Sequence, residues 1–105
     1  MTWKIIARHK WVAGAKITES IGQDEQRHSR FTATIRGWQN WQLYQGQPSQ
    51  EILQLVISLV KVIRDRIDNG DEGIFAMGIS YCDSIDELRK RVDYLETANL
   101  TTGCT

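Results

Sequence analysis

The apolar residues change period near residue 48, and that change limits the folds open to the chain. Before it they recur at every second position, as on a half-buried strand. After it they recur at every third and fourth, as on a helix packed by one face. Strands followed by helices define the α+β class, with helices on one side of a mainly antiparallel sheet.

In residues 3–12 the odd positions are Trp3, Ile5, Ala7, His9 and Trp11, and the even ones Lys4, Ile6, Arg8, Lys10 and Val12. This alternation turns Trp3, His9 and Trp11 inward and the basic residues outward. Residues 15–21 alternate again, Ala15, Ile17 and Ile21 against Lys16, Thr18 and Ser20, with Glu19 on the apolar side. Residues 22–29 are polar and read as a loop. A third strand over 30–36 sets Phe31, Ala33 and Ile35 against Arg30, Thr32, Thr34 and Arg36. Gly37 marks a turn over 37–40, and 41–44 reads as a short fourth strand.

Pro48 and Ser49 suit a helix start, with Glu51 near the positive end of the dipole. Ile52, Val56, Leu59, Ile63 and Ile67 then share one face, which Leu53, Ile57 and Val60 widen. Leu55 and Val62 extend the apolar surface beyond what one sheet covers, which predicts a homodimer with these two residues at its interface. Asn69-Gly70 closes the helix with a left-handed cap. Residues 74–81 are apolar on both faces, as in a doubly covered strand. Ser84 and Glu87 form a capping box, and Ile85, Leu88, Val92 and Leu95 follow on one helical face. The expected order is β-β-β-(β)-α-β-α, a sheet of four to five strands with two helices on one face. It makes one domain over 1–98 and a polar tail over 99–105.

The chain has 105 residues and no net charge, yet its halves differ. Residues 1–47 carry seven basic and three acidic side chains, and residues 48–105 six basic and ten acidic. The strand periods put Lys4, Arg8, Lys10, Lys16, Arg30 and Arg36 together on the open face of the sheet, with threonines between them. That face reads in three ways: as a solvated face, as a docking face for an acidic protein, or as a nucleic-acid surface. Trp38, Trp41 and Tyr44 adjoin it as anchors or stacking residues. The expectation is a small non-enzymatic accessory or regulatory protein that binds an acidic protein partner. Nucleic acid on the same face is the alternative.

Catalytic signals are few. His9 faces inward and His28 lies beside Arg27, so neither makes a metal site, and no cofactor motif is present. Cys82 is the one candidate nucleophile, just before a helix N-terminus, but it lacks a nearby histidine or a resolving partner. Two cysteines, Cys82 and Cys104, without a signal peptide or an apolar span lead to the expectation of a cytoplasmic protein that meets no membrane.

Overall fold

The structure is a computed structural model. It describes residues 3–12, 15–22, 28–71 and 81–103, without the side chains of 10–12, 38–40 and 97–103. Four strands form one antiparallel sheet in chain order: β1 (Trp3–Val12), β2 (Ala15–Gly22), β3 (Ser29–Ile35) and β4 (Trp38–Gly46). Two helices follow, α1 (Ile52–Asp68) and α2 (Ile85–Gly103). The α+β class expected from the change of period is therefore the class of the molecule. The order among the described residues is β-β-β-β-α-α. Of the strand expected over 74–81, residues 74–80 lie outside the described residues, and Tyr81 is exposed and outside any strand. Immediately after it, Cys82 makes a parallel bridge to Tyr44. The Cys82 amide donates to Leu43 O at 3.2 Å and the Gln45 amide to Cys82 O at 2.9 Å. The chain thus returns beside β4 after α1.

The β3–β4 turn is tighter than the sequence predicts. Ile35 pairs with Trp38, so only Arg36 and Gly37 connect the strands. Both have positive φ, 50° and 83°. This is the primed two-residue hairpin, whose twist matches that of the strands. β4 therefore starts at Trp38, and the expected turn over 37–40 is replaced by strand. Arg36 leaves the pleat of β3 and does not join the open face. Its guanidinium instead meets the carboxylate of Asp68 at the end of α1, Nε to Oδ1 at 3.1 Å and Nη2 to Oδ2 at 3.0 Å. A left-handed residue other than glycine costs about 1–2 kcal/mol. An exposed ion pair returns at most about 1 kcal/mol, so the hairpin is held by its strands rather than by Arg36.

Ala15, Ile17, Phe31, Ala33, Ile35, Trp41 and Leu43 of the sheet pack with Ile52, Val56, Leu59, Val60 and Ile63 of α1 and with Leu88, Val92 and Leu95 of α2. Trp41 and Tyr44 are only 4% and 2% exposed. α1 lies on β3 and β4, and α2 packs along α1. Leu55 and Val62 are partly buried and pack against this core.

The helix ends follow from local chemistry. Pro48 and Ser49 precede the turn at 50–51 and lie outside α1, and Ser49 Oγ accepts from the Glu51 amide at 3.3 Å. At the other end the Gly70 amide donates to Ile67 O and the Asp71 amide to Arg66 O, both at 3.0 Å. With Gly70 at φ 78° this is the left-handed cap that Asn69-Gly70 predicts. Arg66 ties the helices together by donating to Leu95 O at 3.1 Å and pairing with Asp71. At α2 the Glu87 amide donates to Ser84 Oγ at 3.2 Å, the first half of the expected capping box. α2 then runs to Gly103, into the stretch read as a tail.

Gly46 is where β4 passes the returning chain. A Cβ there would sit 2.5 Å from the Asp83 carbonyl oxygen and 2.8 Å from the Tyr44 hydroxyl. Gly46→Ala should therefore destabilise the fold by about 1–3 kcal/mol, as overpacking does. Urea unfolding checks this, and an unchanged midpoint would mean that residue 83 does not approach β4.

Candidate binding face of the sheet

The register of β1 on β2 decides which side chains share the open face. Ile5 pairs with Ser20 and Ala7 with Glu19, so Ile6 is an extra residue with no partner of its own on β2. One extra residue in a strand turns every residue before it to the opposite face. Trp3 and Ile5 therefore join Arg8 on the open face, and Lys4 moves to the helix side, opposite Ile21. Both placements correct the strict alternation, which put Trp3 inward and Lys4 outward. Lys4 stays exposed because α1 covers β3 and β4 instead. A second shift lies between His9 and Val12. The side chains of Lys10 and Trp11 there, like that of Trp38, lie outside the described residues.

Cross-strand pairing then sets out the face in rows. Arg8, Thr18, Thr32 and Gln42 form one row, and Ile5, Ser20, Arg30 and Gln45 the next. Lys16 and Thr34 lie on one side of these rows, and Trp3 and Gly22 on the other. Among the described residues no strand places an acidic side chain on this face. Arg8, Lys16, Thr18, Thr32 and Thr34, with Ile17 and Ala33, line a groove of about 330 Å³.

Arg30 lies over the indole of Trp3, its guanidinium carbon 4.5 Å from the ring centroid. The two meet across Gly22, which has no side chain to part them. Ser20 beside them is only 2% exposed. Such a stack contributes about 0.5–1 kcal/mol at an exposed site. It also restricts where the guanidinium can move. Arg30 Nε is buried and has no hydrogen-bond partner.

On the opposite face Glu19, which breaks the apolar period of β2, is matched by His9, with Oε1 3.2 Å from Nε2. Both side chains are about a quarter exposed, 26% and 24%, so His9 is half-buried at the margin of the core. Two residues expected at the binding face are instead in the core. Trp41 pairs with Ala33, and Tyr44 is enclosed with its hydroxyl donating to Gln47 O at 2.6 Å. A bulge between Phe31 and Thr32 shifts β4, so that Leu43 and Tyr44 are both buried. Gln42 and Gln45 take the outward positions, and sequence periodicity missed both.

Cys82 is fully buried. Burial pushes its thiol above the usual range, Glu87 and Asp83 add to this, and Arg91 offsets part of it. The thiol is therefore protonated at neutral pH. Among the described residues no helix is long and apolar enough to cross a membrane. No family model, no curated protein and no solved structure matches the chain.

Burial, joined by the charge of Asp83, also pushes the Tyr44 phenol above its usual value. Each group keeps its proton longer in the fold than in the unfolded chain. Above about pH 8.5, where an unfolded thiol ionises, the unfolded state binds fewer protons and stability falls. Urea midpoints should be flat from pH 6 to 8 and decline at higher pH. The decline should be shallower in Cys82→Ala, and an equal slope in both chains would contradict the burial of Cys82.

Proposed function

We propose that the chain is a small non-enzymatic binding protein, accessory or regulatory in kind, that docks an acidic protein surface on its open sheet face. The observation that carries this reading is the Trp3–Arg30 stack with Ile5 beside it. Ile5 is 46% exposed, and Ile6 at the bulge 51%. Aromatic and arginine side chains next to exposed aliphatics are the usual content of a protein-binding hot spot. The positive face selects acidic partners and speeds encounter with them. A face that binds single strands by stacking offers several aromatic rings to successive bases. Here the described aromatic ring of the face is covered by Arg30, and isoleucine offers a base no stacking surface. The site of action we propose is the cytoplasm, where Cys82 persists as a thiol.

Affinity capture on the immobilised chain, with and without nuclease, tests the reading. Bound proteins should survive nuclease treatment, be acidic, and be lost when Arg8→Glu is combined with Lys16→Glu. Capture that disappears with nuclease, or steeply salt-dependent binding of generic single-stranded DNA, would favour nucleic acid instead.

A further inference from the structure

We propose that the occupant of this face is an extended acidic segment with carboxylates at alternate positions, laid along β2 and gripped by Arg8 and Arg30. This rests on the reading above and gives the shape of the partner. Arg8 projects from the row of Thr18 and Arg30 from the row of Ser20. These rows are two residues apart on β2, a spacing of about 6.6–6.8 Å in any strand. An extended peptide repeats its side chains at the same interval on one face. Its alternate residues therefore fall in step with the rows, whereas adjacent residues point to opposite sides. A helical ligand repeats its charges on one face at about 5.4 Å per turn and drifts out of step.

The two arginines differ in what they offer. Arg8 is exposed and no ion pair holds it among the described residues. It stands beside Thr18 and Thr32, whose hydroxyls flank the groove. Arg30 is braced against Trp3, so its fork is oriented before a partner arrives. A planar guanidinium binds a carboxylate through two parallel hydrogen bonds, which an ammonium cannot do. Lys16, one row further along β2, adds charge in the same register. The partner carries acids because the rows offer cations and threonines and no competing carboxylate.

Two capped peptides of one composition test this. In one, glutamates alternate with threonines; in the other the glutamates are adjacent and the threonines flank them. Binding is read from amide shifts of β1, β2 and β3 in a heteronuclear NMR titration at low salt, with oligothymidylate as a third probe. The alternating peptide should bind about tenfold tighter than the clustered one, a difference of one decade in Kd. Arg30→Lys, folded by the same spectra, should abolish that preference while keeping charge-dependent binding. Equal affinities for the two peptides, both lost on Arg8→Gln, would overturn the spacing and leave an acidic partner standing. Tighter binding of oligothymidylate than of either peptide, or titrations unaffected by Arg8→Gln, would overturn the spacing and the acidic partner together.

Discussion

The single unpaired residue Ile6 determines what the open face contains. Without it, Trp3 would point toward the helix side and Lys4 toward solvent above β2. With it, an indole reaches the arginine of β3 across a glycine, and the cation is braced rather than free. Bulges in edge strands also break the regular ladder that would recruit another strand. The same irregularity therefore builds a binding feature and blunts the edge of β1.

Behind that face the two helices make the sheet stable on one side only. α1 buries Ile52, Val56, Leu59, Val60 and Ile63 against β3 and β4, and α2 closes over α1. The return of the chain at Cys82 fastens the far edge through two backbone hydrogen bonds to β4. Stability is thus concentrated around β3, β4 and α1. β1 and its exposed isoleucines lie away from that centre, and a partner can use them without disturbing the core.

Much of this was legible from period alone. The strands of β2 and β3, the apolar stripe of α1, the Gly70 cap and the Ser84 cap all rest on short-range rules that tertiary packing reinforced. Three features were not legible for identifiable reasons. A bulge has no composition of its own, although two adjacent isoleucines in β1 and a glutamate on the apolar side of β2 are its traces. The Arg36–Gly37 turn puts an arginine where asparagine or glycine is usual, so Gly37 signalled a turn but not its two-residue length or its start at Arg36. Trp41 and Tyr44 are amphipathic types found in cores and at interfaces alike, and only the register with Ala33 and Phe31 placed them inside. Arg8, Lys16 and Arg30 do lie on the open side of the sheet, where the strand periods put them. Lys4 and Arg36 were lost from it to the bulge and to the hairpin.

Everything proposed for the face depends on Arg30 lying over the Trp3 ring. Proton NMR measures that geometry directly, because ring current shifts protons held over an indole. The Arg30 side-chain resonances should lie upfield of their ordinary positions and return to them in Trp3→Leu. Ordinary Arg30 shifts in the unaltered chain, together with contacts from the Trp3 indole to the helix-side methyls of Ile21, would show that β1 is in strict alternation and contradict the face described.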